Sequence, residues 1–236
     1  MTPRPPAVDP ARAAAYEAYV RSEWQRYLAD PARAEAMRAA TSGLAVTRVL
    51  EIGCGAGQEL LPFARDGAHC IGLDPFPTAG VHGRRLYAEA APTARVDFVG
   101  AAAEALPFPD AAFDVLVCRL ALPFMDNARA LAEMRRVLAP RGVAIVKIHH
   151  AWYYVRHCWR GLVRLRPRML LNAARTTLAT LLYRLAGRRV ATGVLGLETF
   201  QTRAGFRRCA GRAGLAIRGE MPDSNRFTPS YILAPG

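Results

Sequence analysis

The sequence predicts a single α/β domain built on a doubly wound, mainly parallel sheet of seven strands. From residue 47 onward, short apolar segments alternate with amphipathic helical segments, which is typical of a parallel sheet covered by helices on both faces. The chain has 236 residues, a length that suits one domain of this kind. Hydrophobic residues make up 52% of the chain, which excludes a disordered polar protein.

The predicted elements follow one another in the order that this fold requires. Residues 11–40 form helices, and Pro31 begins the second of them after Asp30, a suitable N-cap. The core then runs through TRVLEI, QELLPFARDG, HCIGLD, GRRLYAEAA, RVDFVGA, FDVLVCRLAL, NARALAEMRRVLAP and GVAIVKI, of which the second, fourth and seventh are helices. After a break, a helix closed by Gly214 precedes two final strands, AIRGE and SYILA.

We divide this single domain, residues 1–236, into four parts. They are an N-terminal helical cap (1–44), a ligand-binding core (45–148), a basic helical insertion after the fifth strand (149–197), and the last helix and strands (198–236).

The cysteines and the apolar segments bear on the cell compartment. The five cysteines are scattered without a CxxC pair, which favours reduced thiols in the cytoplasm. The first 15 residues contain no apolar signal-peptide segment. The most apolar run, from Met169 to Ala186, is interrupted by Asn172, Arg175 and Arg184, which argues against a membrane span. We expect a cytoplasmic protein.

A glycine-rich turn marks the candidate binding site. Residues 49–75 read VLEIGCGAGQELLPFARDGAHCIGLDP, a strand that enters the turn, a helix, and a second strand that ends at Asp74. A unit of this kind holds a nucleotide-like ligand at the helix N-terminus. The dinucleotide fingerprint GxGxxG needs a glycine where Gln58 stands, so the sequence disfavours NAD.

The turn itself reads Glu51-x-Gly53-x-Gly55-x-Gly57 and resembles the first motif of the class I S-adenosylmethionine-dependent methyltransferases. An acidic residue at the strand end suits a sulfonium ligand that has no phosphate. Two further segments are similar to the family in the same order. VGAAAEALPFPDAAFDVLVC resembles the adenine-side loop and fourth strand, and LAEMRRVLAPRGVAIV resembles the helix, turn and fifth strand. Together the motifs cover about residues 45–150, and they imply S-adenosyl-L-methionine as the methyl donor.

The resemblance assigns the donor to residues at the first four strand ends. The Asp74 carboxylate can accept both ribose hydroxyls, and backbone groups at Ala103 and Glu104 can read the adenine edge, with or without the Glu104 carboxylate. The family usually has aspartate where Ala102 stands, and losing that hydrogen bond costs about 1–2 kcal/mol. The other candidate donor contacts are Glu51, Gly53, Cys54, Gly55, Gly57, Pro75, Cys118, Tyr16 and Tyr19. Of these, Tyr16 and Tyr19, with Trp24, form either a lid or simple helix packing.

Candidate catalytic residues follow the fourth and fifth strands. Successive strand residues point to opposite faces, so at most one of His149 and His150 enters the pocket. There a histidine can deprotonate a phenol or a ring nitrogen; outside the pocket, either is a solvated loop residue. Arg119 can orient an anionic acceptor or the donor carboxylate, or it can pair with Asp126 or Glu133.

The insertion concentrates the net charge of +13. From His149 to Leu197 there is no acidic residue, and nine arginines fall there: Arg156, Arg160, Arg164, Arg166, Arg168, Arg175, Arg184, Arg188 and Arg189. We interpret the insertion first as a cap over the acceptor. A cap would pack six apolar residues onto the domain, namely Trp152, Leu162, Leu165, Leu170, Leu181 and Leu182. The alternatives are peripheral contact with anionic lipid and a grip on phosphorylated or nucleic-acid ligands.

Three functions remain open from the sequence. The first is methylation of an oxygen or nitrogen on a small-molecule metabolite. The second is methylation of a lipid- or nucleotide-linked saccharide at the membrane surface. The third is a nucleic-acid-binding protein or RNA methyltransferase, which is disfavoured because the region after the fourth strand reads CRLALPFMD and lacks an (N/D)PPY-like turn.

Overall fold

The computed structural model of the protein describes residues 10–186 and 199–236. Its seven strands are β1 (Arg48–Ile52), β2 (His69–Asp74), β3 (Val96–Gly100), β4 (Phe113–Arg119), β5 (Leu138–Lys147), β6 (Leu215–Glu220) and β7 (Ser230–Pro235). They form one sheet in the order β3-β2-β1-β4-β5-β7-β6. The first five strands pair in parallel, and β7 is antiparallel to both β5 and β6. The predicted doubly wound, mainly parallel sheet is confirmed.

The helices occupy the predicted places, but several of their bounds differ from the prediction. They are α1 (Pro10–Leu28), α2 (Pro31–Ala40), α3 (Leu61–Arg65), α4 (Pro77–Ala90), α5 (Asn127–Val137), α6 (Ala151–Val163), α7 (Pro167–Ala186) and α8 (Arg203–Arg212). The segment QELLPFARDG is a 3-10 turn followed by the short α3, whereas one helix was expected. Helix α5 ends at Val137, whereas the sequence predicted an end at Pro140. Ala139 precedes this proline and therefore disfavours the helical conformation, and Leu138 is already buried as the first residue of β5.

Both faces of the sheet are covered. In β4, Val115 and Val117 belong to one buried cluster, and Leu116 and Cys118 belong to the other. Alternate residues of one strand therefore enter cores on opposite sides of the sheet. This leaves the carboxyl edge of the strands as the place where a ligand can bind.

The insertion forms a hairpin of two helices, α6 and α7. Gly161 lets the helices approach closely, since a Cβ atom there would lie 3.0 Å from the Cβ atom of Met169. The base of α6 is attached to the domain through the buried Tyr154, whose ring centroid lies 5.6 Å from that of Phe200. None of the described helices is long and apolar enough to cross a bilayer.

The prediction that this segment packs its apolar residues onto the domain is wrong for four of the six. The exposed residues are Trp152, Leu162, Leu165 and Leu181, whereas Leu170 and Leu182 are half-buried. The reason is that α6 and α7 pack against each other and bury the faces around Tyr154, Gly161 and Thr180. Arg188 and Arg189 lie outside the described residues.

Candidate active site

A cavity of about 570 Å³ lies where β1, β2 and β4 end, between the loops that follow these strands and helices α1 and α2. The predicted site residues that line it are Tyr19, Glu51, Gly53, Cys54, Gly55, Asp74, Pro75, Ala102, Ala103, Glu104 and Arg119. The structure thus brings together residues that the sequence separates by up to 100 positions. Its volume is within the range of small-molecule and cofactor sites.

The glycine turn holds three successive glycines of the motif in the left-handed region, with φ angles of +69° at Gly53, +54° at Gly55 and +76° at Gly57. A Cβ atom at Gly53 would also lie 2.3 Å from the Cβ atom of Ala121. Gly57 does not line the cavity, and its carbonyl oxygen accepts a hydrogen bond of 2.6 Å from the Tyr87 hydroxyl. Gly57 therefore helps to fix the conformation of the turn but does not contact the cavity.

Asp74 is fixed against this turn. One of its carboxylate oxygens accepts a hydrogen bond from the Gly55 amide at 3.1 Å, and the other accepts one from the Phe76 amide at 2.9 Å. Burial raises the pKa of Asp74, and the two backbone hydrogen bonds oppose that shift. The carboxylate is thus held at the cavity wall in a fixed orientation.

The loop after β3 supplies a second wall through Ala102, Ala103 and Glu104. The Glu104 carboxylate accepts a hydrogen bond of 2.7 Å from the backbone amide of Asp126, just before α5. This contact ties the loop to the helix. It also occupies one carboxylate oxygen of Glu104, and the Glu104 carbonyl oxygen accepts a hydrogen bond of 3.4 Å from Arg129 Nη2.

The floor of the cavity carries four charged side chains: Arg33, Glu51, Glu59 and Arg119. Glu51 and Glu59 are 2% and 0% exposed. Arg33, which comes from α2, forms an ion pair with Glu59, and the Nε atom of Arg119 lies 2.9 Å from the same carboxylate. Burial raises the pKa of Glu51 well above its usual value, although Arg33 and Arg119 oppose the shift.

Each of these four side chains has a buried polar atom without a hydrogen-bond partner in the described part of the chain. The atoms are Glu51 Oε2, Glu59 Oε2, Arg33 Nε and Arg119 Nη1. Buried polar groups are almost always hydrogen-bonded in folded proteins, so a set of unsatisfied donors and acceptors in a cavity indicates a ligand site. The two carboxylates and two guanidinium groups fit a zwitterion with one ammonium and one carboxylate.

Arg119 also contacts the loop between β6 and β7. The Asp223 carboxylate lies 2.7 Å from both Arg119 Nη2 and Lys147 Nζ. Burial alone would raise the pKa of Asp223, but the two cations outweigh it and lower the pKa to about 2. The alternative pairing of Arg119 with Asp126 or Glu133 is wrong, because Asp126 caps α5 and Glu133 pairs with Arg136.

The two candidate histidines lie outside the set of residues that line the cavity. His150 is the N-cap of α6, and its Nδ1 atom accepts a hydrogen bond of 3.3 Å from the Trp152 amide. The His149 ring stacks on Tyr153 at a centroid distance of 4.4 Å, and its Nδ1 atom lies 3.4 Å from the Tyr154 hydroxyl oxygen. His149 is thus part of an aromatic group at the base of the hairpin.

The remaining predicted contacts are divided between the cavity and the core. Tyr19 lines the cavity, but Trp24 is buried and packs against Tyr87 at a centroid distance of 5.2 Å. Cys118 is buried among the residues that pack on the α5 side of the sheet, so it does not line the cavity. The side chain of Tyr16 lies outside the described part of the structure.

Sequence reasoning missed about half of the lining. The additional residues are Val20, Glu23, Arg33, Ala56, Gln58, Glu59, Leu73, Phe76, Leu120, Ala121, Phe124 and Met125. One weak signal was available, since Glu59 is a lone acidic residue in the apolar segment QELLPF. Arg33 gives no such signal, because only the packing of α2 brings it to the site.

The comparisons with known proteins agree with this geometry. A family model described as a methyltransferase domain matches residues 50–146. An uncharacterized methyltransferase of Bacillus subtilis, YcgJ, is 38% identical over 105 residues, covering 44% of this chain and 41% of that protein. A demethylmenaquinone methyltransferase of Thermus thermophilus is 39% identical over 102 residues, covering 42% and 46%. The chain thus matches less than half the length of these curated relatives.

Solved structures show that the likeness in fold extends further. The structure of YcgJ has a TM-score of 0.58 at 20% identity, covering 85% of this chain and 94% of that one. The magnesium protoporphyrin IX methyltransferase of Synechocystis, solved with bound SAH, has a TM-score of 0.54 at 15% identity and covers 98% and 89%. Residues 50–146 thus match a methyltransferase domain, and the fold of the chain is that of the class I S-adenosylmethionine-dependent methyltransferases.

Proposed function

We propose that this protein transfers the methyl group of S-adenosylmethionine to an oxygen or nitrogen of a small molecule. The observation that carries the proposal is the cavity at the strand ends, which is lined by the glycine turn, by Asp74 and by four acidic and basic side chains that each keep a buried polar atom without a hydrogen-bond partner in the described residues. When bound, the donor supplies a methyl group already activated by sulfonium. The protein therefore has to bind, align and desolvate the two reactants.

Each part of the donor finds a matching group in the cavity. The Asp74 carboxylate accepts hydrogen bonds from the ribose hydroxyls, and the backbone of Ala103 and Glu104 binds the adenine edge. Glu51 holds the ammonium group of the amino-acid end, and Arg119, with Arg33, holds its carboxylate. With Glu51 ionised in the bound state, the floor carries two cations and two anions and matches a zwitterion.

The acceptor enters beside an apolar rim. Phe76, Phe124 and Met125 line the cavity together with Tyr19. Burial raises the pKa of Tyr19, and the nearby Glu23 carboxylate adds to that shift. A planar or apolar small molecule suits such a rim.

A base is needed only to remove the proton of the acceptor. We assign this role to His149, which follows β5 and stacks on Tyr153. The Nδ1 atom of His149 lies 3.4 Å from the Tyr154 hydroxyl oxygen, a contact that orients the ring. His150 is engaged as a helix cap and takes no part.

The experiment uses donor labelled with carbon-13 in the methyl group. The protein is incubated with this donor and with cell extract separated into a small-molecule fraction and a macromolecular fraction. We expect label in the small-molecule fraction, with a methyl chemical shift of the oxygen- or nitrogen-bound type. Label only in RNA or protein, or a carbon-bound methyl group, would contradict the proposal. The Asp74→Ala variant serves as the control with weakened donor binding, and it should transfer less label.

A further inference from the structure

Both helices of the insertion present an exposed apolar stripe. On α6 the stripe consists of Trp152, Val155, Trp159, Leu162 and Val163, spaced three or four residues apart. On α7 it consists of Leu171, Leu178, Leu181 and Leu185. Such spacing places the side chains of each set on one side of its helix, opposite the buried Gly161 and Thr180. Exposed apolar side chains grouped on one side of a helix are typical of an interaction site in a folded protein.

The tip of the hairpin is the most exposed part. Leu165 is 86% exposed and has a φ angle of +48°, in the left-handed region that leucine rarely adopts. Two hydrogen bonds hold this turn, from the Leu165 amide to the Leu162 carbonyl and from the Arg166 amide to the Gly161 carbonyl. The backbone is thus fixed in an unfavourable conformation, and the large apolar side chain of Leu165 is exposed to solvent.

Arginines surround these apolar stripes. Arg164, Arg166 and Arg168 are exposed around the tip, and Arg156 and Arg160 are exposed along α6. Residues 149–197 contain no acidic residue that would neutralise them. The partner that fits this surface is therefore negatively charged and able to cover leucine, valine and tryptophan side chains.

These requirements distinguish three kinds of partner. A second copy of the chain would bring the same arginines together, which opposes association. RNA would neutralise the arginines but would leave the leucines and valines of the stripes in water. An anionic bilayer meets both requirements, because its interface accepts apolar and tryptophan side chains while its headgroups pair with arginine.

We propose that the α6–α7 hairpin docks the protein on the surface of an anionic lipid bilayer. The hairpin enters the headgroup boundary by its tip, where Leu162, Val163 and Leu165 are exposed, and the arginines around the tip lie at the level of the lipid phosphates. This attachment goes beyond the proposed methyl transfer and does not depend on the identity of the acceptor.

Sedimentation with vesicles tests the proposal. We expect binding to phosphatidylcholine vesicles that contain phosphatidylglycerol, little binding to pure phosphatidylcholine, and loss of binding at about 1 M salt because exposed charges are screened. Reversing the tip charges with Arg164→Glu, Arg166→Glu and Arg168→Glu should weaken binding about tenfold or more. The matched control reverses three exposed arginines of α8, with Arg207→Glu, Arg208→Glu and Arg212→Glu, and should change binding much less.

The apolar contribution is tested separately. Trp159→Ser with Leu165→Ser should reduce vesicle binding, whereas Leu28→Ser with Val81→Ser, which alters exposed apolar residues elsewhere, should not. Calorimetry with S-adenosylhomocysteine on every variant shows that the domain is intact, because the hairpin stripes do not line the donor cavity. A failure of the docking proposal is thereby distinguished from a failure of donor binding.

Tryptophan fluorescence locates the contact. Trp24 is buried in the domain, whereas Trp152 and Trp159 are exposed on α6. Brominated lipids should therefore quench the wild-type protein but not the variant with Trp152→Phe and Trp159→Phe. The proposal is overturned if anionic vesicles do not bind, if neutral vesicles bind equally well, or if the hairpin variants behave like their controls. It is also overturned if the hairpin retains RNA or forms a dimer and does not bind vesicles.

Discussion

The Asp74 carboxylate accepts a hydrogen bond from the backbone amide of Gly55, with 3.1 Å between the two heavy atoms. This contact joins the end of β2 to the glycine turn after β1, so the two motif elements form one wall of the cavity. Its second oxygen accepts a hydrogen bond from Phe76, which fixes the carboxylate plane. The ribose-binding role proposed for Asp74 rests on this fixed position.

Replacing Asp74 with alanine should weaken binding of S-adenosylhomocysteine by about 1–3 kcal/mol, roughly 5- to 150-fold, because charge-assisted hydrogen bonds are lost. Titration calorimetry measures the change. The control is Asp66→Ala, which removes an exposed carboxylate paired with Arg38 away from the cavity. Equal affinities for wild type and Asp74→Ala would show that this carboxylate does not hold the ribose.

Alanine substitutions in the glycine turn should separate backbone strain from ligand contact. Gly55 and Gly67 both have positive φ angles, and a Cβ atom at either would meet nothing within 4 Å. We expect each alanine to lower the free energy of unfolding by about 1 kcal/mol, but only Gly55→Ala to reduce donor affinity. Gly53→Ala should destabilise the protein more, because its Cβ atom would clash with Ala121. Urea unfolding and calorimetry give the two readouts, and similar stability losses at Gly53 and Gly55 would contradict the structure.

Donor binding should release protons through Glu51. Burial raises the pKa of Glu51 well above its usual value. A bound ammonium group favours the charged carboxylate and lowers that pKa again. Binding therefore releases protons in the pH range between the bound and free pKa values, and affinity rises with pH across that range. Calorimetry in two buffers of different ionisation enthalpy detects the release. The Glu51→Gln variant should release no protons when the donor binds. If the wild-type protein also releases none, donor binding is not linked to the ionisation of Glu51.

Asp223 should stabilise the fold in a pH-dependent way. Its pKa is lowered to about 2 in the folded protein, so its contribution is complete above the unfolded value near 4 and is lost as the pH falls towards 2. Asp223→Asn should lower the free energy of unfolding at pH 7 by about 3 kcal/mol, since it leaves Arg119 and Lys147 without a shared counterion. The difference from wild type should shrink below about pH 4.

Asp110→Asn is the matched control for this experiment. Asp110 pairs with Arg136 at the surface, where an ion pair contributes only about 0–1 kcal/mol. A stability difference for Asp223→Asn that stays constant from pH 7 to about pH 3 would contradict the assigned pKa.

Much of the fold was predictable because it depends on local patterns. The alternation of apolar strands with amphipathic helices indicates the sheet, and the positive φ angles that the turn requires explain why glycines stand at Gly53, Gly55 and Gly57. The position of Asp74 at the cavity was predictable because Asp74 is the last residue of β2, and ligands bind at the carboxyl ends of the strands. These features are each visible within a few residues of sequence.

The rest depends on contacts between distant segments. Arg33 reaches the cavity floor only because α2 packs beside the turn after β1, and no short pattern encodes that packing. Cys118 was assigned to the donor from its place at a strand end, but its side chain points into the core on the α5 side. The hairpin shows the same limit: an amphipathic helix has one pattern whether its apolar face covers a cavity, as expected here, or remains exposed.

The most direct test of the central claim is titration calorimetry of the wild-type protein with S-adenosylhomocysteine and, separately, with NAD. We expect one binding site per chain for S-adenosylhomocysteine and no detectable heat of binding for NAD. The reason is that the turn presents Glu51 and has Gln58 where the dinucleotide fingerprint has its third glycine. Binding of NAD without binding of S-adenosylhomocysteine would contradict it.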